Sequence, residues 1–387
     1  MRNVIRLVIC IMISLPLFGC WDRREINDIA IVTGTSFDMI DDKNYKVATQ
    51  IPLPGEIGSG SQSGGGGTSG GALFYLDAGV GRNVREANAN LQKRMSRKLL
   101  FGHRRITVFG ETLARDGLRK TLDVLTRTRE ARLTTQIFVA EGEGITVLAA
   151  MPQLENLSSE AVREIGVNTF YLTLKDFLLH FQQKGNDPLL PVLSLVENVS
   201  PNPELVAEQI AINKIAVFKQ DKLEFITNPK QTSAVRWMLE KMKGEPFTIE
   251  WKEGENIVVR IKEQTTNISY AIKNNKPEFE IAIEVVGNLI ENETELNFEE
   301  TGILEQVNKR IEEKVEKEIR SLLDETLSKE IDSFGFGWLL RRRERNKWDD
   351  EWKDGWRETL PDLKYEVRVS TTVDLTGLVT QGIGIGE

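Results

Sequence analysis

Residues 302–331 carry an apolar side chain at every fourth position: Ile303, Val307, Ile311, Val315, Ile319, Leu323, Leu327 and Ile331. This spacing predicts a single helix about 45 Å long at 1.5 Å per residue. Four residues turn a helix by about 400°, so the stripe drifts by about 40° per step and winds around the axis. A winding stripe fits packing across a twisted sheet better than the fixed seam of a coiled coil. Glu305–Lys309, Glu313–Lys317, Glu316–Arg320 and Glu325–Lys329 place i, i+4 ion pairs on the wet side. Such a helix needs a sheet beside it.

The second half of the chain supplies one. Ile210–Phe218 and Leu223–Thr227 read as strands around a turn at Gln220-Asp221, followed by a short helix with Val235, Met238 and Leu239. Three or four strands run from Phe247 to Ile290, many of them alternating, and a last strand lies near Tyr365–Val373. The run from Phe247 to Ile290 predicts an antiparallel sheet, packed with the long helix.

The first half has a different order. Ile29–Phe37 and Tyr45–Ile51 form an expected hairpin around Asp41-Asp42-Lys43-Asn44. Helical spacing at Val84, Ala87, Leu91 and Met95 precedes a strand at Arg105–Phe109. Leu118, Leu122 and Leu125 then precede a strand at Thr135–Ala140, and Leu174, Phe177, Leu178 and Phe181 give a further helical face. Pro201-Asn202-Pro203 marks the expected domain boundary. With 387 residues, 40% hydrophobic and 28% charged, two or three globular domains are expected. The fold class is therefore α+β and multidomain. Residues 20–200 form a mixed α/β region with two subdomains, and residues 204–387 carry the antiparallel sheet and the helix at about 302–331.

The N-terminus reads as an address. Arg2 and Arg6 precede an apolar run from Leu7 to Phe18, too short to span a bilayer and suited to a secretory signal over residues 1–19. Leu17-Phe18-Gly19-Cys20 resembles a lipobox, which makes Cys20 the expected site of diacylglycerol and fatty-acyl attachment, with Phe18 in place of the usual small residue. Residues 55–71 hold nine glycines and read as a flexible loop. Gly67-Thr68-Ser69-Gly70-Gly71 matches the nucleophile-elbow pattern but lacks the strand and helix that would give it meaning.

Charge and composition exclude several functions. The formal net charge of −8 argues against nucleic acid as the main partner. With two histidines, His103 and His180, and two cysteines, no H-E-x-x-H or four-ligand zinc pattern is present. No metal or cofactor is expected beyond the covalent lipid, and nothing assembles a catalytic constellation. Residues 82–132, in contrast, hold 14 Lys/Arg against 5 Asp/Glu.

Three segments carry a family likeness: GCWDRREINDIAIVTGTSFD, LLFGHRRITVFGETLARDGL, and DSFGFGWLLRRRERNKWDDEWKDGW followed by VRVSTTVDLTGLV. In order and over essentially the whole chain, they resemble the Ger(x)C lipoproteins, the C subunits of nutrient germinant receptors of endospore-forming bacteria. The resemblance implies a multidomain α+β protein on the outer face of the spore inner membrane. It also implies two polytopic partners, the A and B subunits, and no enzymatic activity. An extracytoplasmic solute-binding lipoprotein is the alternative, although the second half lacks the strand–helix alternation of a second binding lobe.

Two contact surfaces are candidates. Arg94, Arg97, Arg104 and Arg105 lie in the basic region and suit anionic headgroups or a partner. Trp348, Trp352 and Trp356 recur at i, i+4, i+8 beside Arg341-Arg342-Arg343. They either dock their own helix on the core or form an aromatic partner patch.

Overall fold

A computed structural model of the chain describes Met1 and residues 26–375, except 42, 54–72, 129, 131 and 299. The expected signal segment from residue 2 onward, Cys20 and the glycine-rich stretch at 55–71 lie outside the described residues. In chain order the strands and helices of the first part are β1 (Ile29–Ile31), β2 (Gly34–Asp41), β3 (Asn44–Pro52), β4 (Phe74–Gly81), α1 (Val84–Gln92), β5 (Lys98–Leu100), β6 (Ile106–Gly110), α2 (Glu111–Asp116), α3 (Arg119–Arg127) and β7 (Gln136–Ala140). They continue as α4 (Gly144–Ala149), α5 (Ser158–Asn168), α6 (Leu174–Gln182), β8 (Leu189–Glu197), β9 (Glu208–Lys219), β10 (Lys222–Ile226) and α7 (Pro229–Met238). The last part holds β11 (Pro246–Lys252), β12 (Glu255–Lys273), β13 (Lys276–Asn292), α8 (Ile303–Ser328), α9 (Phe336–Arg343) and β14 (Lys364–Leu375).

Eight strands form one sheet in the order β10-β9-β8-β7-β6-β2-β3-β4. Its centre, β2, β6, β7 and β8, is parallel, and antiparallel pairs extend both sides. Strands β6 and β7 are buried at every position. Their alternating side chains feed two cores. Ile106, Val108, Phe138 and Ala140 pack with Val147 and Leu148 of α4 and Val162 of α5. Phe109, Ile137 and Val139 pack with Leu113 of α2, Leu122 of α3 and Phe177 of α6. Covering both faces is what makes a parallel strand apolar on both sides. The single strand expected over Ile29–Phe37 divides in two: β1 pairs with β5, and β2 joins the large sheet.

The boundary expected at Pro201-Asn202-Pro203 meets a sheet that runs through it. Strand β8 pairs with β9 from Leu189↔Val217 to Glu197↔Glu208, so β9 and β10 belong to the same sheet as the strands before the prolines. The prolines lie in the connection, where they cost no ladder hydrogen bonds.

The second sheet has the order β11-β12-β13-β14. The antiparallel arrangement expected for this region holds for β11–β12–β13, whereas β14 runs parallel to β13. The long helix causes this difference. α8 connects β13 to β14, and a helical crossover returns the chain in the direction it left. Val307, Ile311, Val315, Ile319, Leu322, Leu323 and Leu327 are its buried apolar residues, so the winding stripe is real and widens at Leu322. Its polar side chains also close the sheet edge. Glu312 accepts a hydrogen bond from Thr371 N at 2.8 Å, and Asn308 accepts one from Val373 N at 3.2 Å. Of the expected helix pairs, Glu316–Arg320 and Glu325–Lys329 form.

A buried polar cluster fastens the two sheets together. Asp187, between α6 and β8, accepts from Arg357 Nη1 at 2.9 Å and Nη2 at 2.7 Å. It also accepts from the backbone N–H groups of Gln220 and Asp332. Asp332, between α8 and α9, accepts from Phe336 N, Gly337 N and Trp356 Nε1 at 2.8–2.9 Å. The packing leaves no room for a Cβ at Gly337, which would lie 2.5 Å from Trp356 Nε1. Gly185 has φ +78° and sits back to back with Gly337, so both steric space and backbone conformation select glycine there. Burial pushes the Asp332 carboxyl up from 3.8 to about 6 in opposition to its three donors, with the Asp187 charge adding to the rise.

Asp187→Ala is expected to lower unfolding stability by about 3–5 kcal/mol, because it strands a part-buried guanidinium and two backbone donors. Arg357→Met should cost less, since Asp187 keeps its backbone partners; urea denaturation of both variants checks the order. Native Asp332 holds its proton more tightly than the unfolded chain does. Its contribution is therefore complete below 3.8 and lost as the pH rises through about 6. Asp332→Asn should flatten that part of the stability–pH curve, measured as urea midpoints across the interval.

Candidate functional site

The basic region does not form one patch. Arg94 follows α1 and turns onto β4, where it binds Asp77 at 2.9 Å and the Ala78 carbonyl at 2.6 Å. Arg97 is exposed in the turn before β5, and its carbonyl accepts from Gln92 Nε2. Arg104 and Arg105 lie at the entrance of β6, on the wall of a cavity of about 330 Å3. Of the four predicted arginines, the structure brings only this adjacent pair together.

The parallel sheet supplies the remaining wall. In the β6–β7 register Ile106 stands opposite Gln136, and Gln136 N donates to the Arg105 carbonyl at 2.9 Å. The entrances of the two strands are thus side by side, which carries Arg132 and Thr134 to the same cavity. Helix α5 adds Arg163 and Val167, and Tyr171 follows it. His103 is exposed at the rim. Arg105 pairs with Glu160 at 2.8 Å, and Arg163 reaches Glu164 at 2.5 Å and Glu160 at 3.5 Å.

Arg104 differs from its neighbours. It is 5% exposed, and its Nε has no hydrogen-bond partner. Burial pulls its pKa down to about 10. The sequence identified Arg104 and Arg105 by charge density alone. It held Arg132 in the basic stretch without singling it out and did not point to Arg163 or Tyr171; all three reach the cavity through strand pairing and the placement of α5.

The tryptophan patch is corrected by burial. Trp348, Trp352 and Trp356 are 1%, 6% and 4% exposed, so their rings belong to the core and offer no partner surface. Trp348 and Trp356 lie 5.6 Å apart at 55°, and Trp356 is held by Asp332. A π-helical turn at Trp348–Trp352 and a short helix at Trp356–Thr359 replace the continuous helix that the spacing implied. Arg342, Arg343 and Arg345 remain exposed around this core.

A second cavity, about 490 Å3, lies between α7, β11, α8 and the large sheet. Glu318 of α8 lines it, accepting from Ser233 Oγ at 2.6 Å, and burial raises its carboxyl pKa. Lys314 spans the same wall to the Thr248 carbonyl at 2.6 Å. Among the described residues, no helix is long and apolar enough to cross a membrane.

The chain matches the descriptions of a class of spore germination proteins over most of its length. The family description "Spore germination protein N-terminal domain" matches residues 22–195, and "Spore germination B3/ GerAC like, C-terminal" matches residues 213–377. The chain belongs to this GerAC-like family. YfkR of Bacillus subtilis (strain 168), which carries a spore germination name, is 31% identical over 338 residues, covering 87% of each chain. Spore germination protein KC of the same organism is 25% identical over 395 residues, covering 97% of each. The crystal structure of the GerBC protein shares the fold with a TM-score of 0.56 at 17% identity, over 88% of this chain and 96% of that one.

Trp348→Ala is expected to cost about 3–5 kcal/mol, the range for emptying a large aromatic from a core. Arg97→Glu, at an exposed turn, should stay within about 0.5 kcal/mol of the parent. Chemical denaturation of the two variants tests the reassignment of the tryptophans to the interior.

Proposed function

We propose that this chain is the C subunit of a nutrient germinant receptor, held on the outer face of the spore inner membrane by a lipid on Cys20 and acting through polytopic A and B subunits. The observation that carries this reading is the agreement of two family domains over residues 22–195 and 213–377 with a lipobox-like Leu17-Phe18-Gly19-Cys20 directly before them. A diacyl anchor fixes a protein stably to a bilayer, which a single chain does only marginally. The folded part is then free to serve assembly or signalling instead of attachment. Its role in this reading is non-catalytic. Buried polar groups such as Asp187 and Asp332 are bound to backbone and side-chain partners that fasten the fold, consistent with a structural use of its ionisable residues.

In sporulating cells fed a labelled fatty acid, the parent protein should carry the label and Cys20→Ala should not. The variant should also fail to sediment with the membrane and should reduce germinant-triggered loss of optical density. Labelled Cys20→Ala protein would refute the anchor. Intact germination in a strain lacking this chain and its paralogues would refute the receptor role. Affinity purification of the anchored protein tests the partners, with recovery of the A and B subunits expected.

A further inference from the structure

We propose that the arginine-lined cavity at the entrances of β6 and β7 is a binding site for a phosphate-class oxyanion, held by Arg104, Arg105, Arg132 and Arg163. The inference goes beyond the receptor reading and does not depend on it. It starts from how the protein treats its buried cations. Arg357 is part-buried and forms a two-pronged pair with Asp187. Arg104 is buried more deeply, 5% exposed, yet its Nε donor has no acceptor. A guanidinium taken out of water without a counter-charge is costly, and a bound anion supplies what is missing.

The surroundings suit such an anion. Arg104, Arg105, Arg132, Arg163 and His103 line a cavity of about 330 Å3, and the carboxylates of Glu160 and Glu164 pair with two of these arginines. The ion pairs engage Nε of Arg105 and Nη1 of Arg163, and each guanidinium carries five N–H donors, so both retain donors for a second acceptor. Tyr171 and Thr134 add hydroxyl groups to the wall. Donors converging from β6, the segment before β7, and α5 fit a tetrahedral group with oxygens on several sides better than a planar carboxylate, which one or two forks saturate. Phosphate oxygens occur both on free phosphate and on phospholipid headgroups, and the two sources are separable by experiment.

The full chain, solubilised in a maltoside detergent that carries no phosphate, is titrated calorimetrically with inorganic phosphate at ionic strength held constant with chloride. Saturable binding is expected, weakened at least about tenfold by Arg104→Gln and by Arg132→Gln, the loss of one charge-assisted bond or more. Arg132 is exposed, so its variant keeps the test meaningful if Arg104→Gln fails to fold. The titration is repeated in nanodiscs containing phosphatidylglycerol. Weaker apparent phosphate affinity there supports the site and assigns it to a lipid headgroup, whereas equal affinity supports it and assigns it to free phosphate. No saturable heat in the phosphate-free detergent, or binding unaltered in folded Arg132→Gln, would overturn the proposal.

Discussion

The carboxylate of Asp187 is the point on which the two sheets meet. It stands just before β8 of the large sheet, yet its partners include Arg357 and the backbone of Asp332 from the far end of the chain. A carboxylate in that position needs several donors to be tolerable, and donors drawn from both layers fix the layers relative to each other. Asp332 continues the same network to α9 and Trp356. Hydrophobic burial supplies most of the stabilisation in such an interface, while the polar knot selects one docking geometry among the many that burial alone would accept.

The segment beginning Asp332-Ser333-Phe334-Gly335-Phe336-Gly337-Trp338, which carried part of the family likeness, has a clear physical meaning in this setting. Asp332 satisfies the first N–H groups of α9, which would otherwise be buried without partners. Gly335 takes a left-handed conformation at φ +72°, and Gly337 admits the Trp356 ring. Asp332, Gly335 and Gly337 are each selected by hydrogen bonding, backbone conformation or packing. The motif is thus a signature of assembly, and chemistry has to be sought elsewhere on the molecule.

Elements were legible in the sequence where local periodicity and tertiary environment agree. The fours-spaced stripe of α8, the alternation of β12 and β13 and the helical face of α6 belong to this group. Helix α4, with the sequence Gly-Ile-Thr-Val-Leu-Ala, has weak helical propensity, and burial of Val147 and Leu148 against the sheet imposes its form. Helix α5 went unread for a related reason: its Ser158 and Ser159 engage the side chain of Gln50, a distant partner no window along the chain can see. Strand direction is equally silent in an alternating pattern, so the parallel pairing of β14 with β13 is not legible along the chain. The site was legible only in its charge. Arg104 and Arg105 stand out locally, but their depth, and the company of Arg132 and Arg163, follow from strand register and helix placement. For the tryptophans, spacing left core and surface readings open, and the three-dimensional packing decided between them.

The unbroken large sheet has a consequence for how such chains vary over evolutionary time. The two family domains divide the chain between residues 195 and 213, inside the connection and pairing of β8 with β9. A recombination event at that seam would join a β8 from one ancestor to a β9 from another. Leu189 to Glu197 would have to meet a foreign partner strand in register, including the shift between Val192 and Leu193. A one-residue slip turns every side chain of a strand to the opposite face, so most chimaeras would fail at once. The two halves are thus joined by strand pairing as well as by the chain, although each is recognisable by itself.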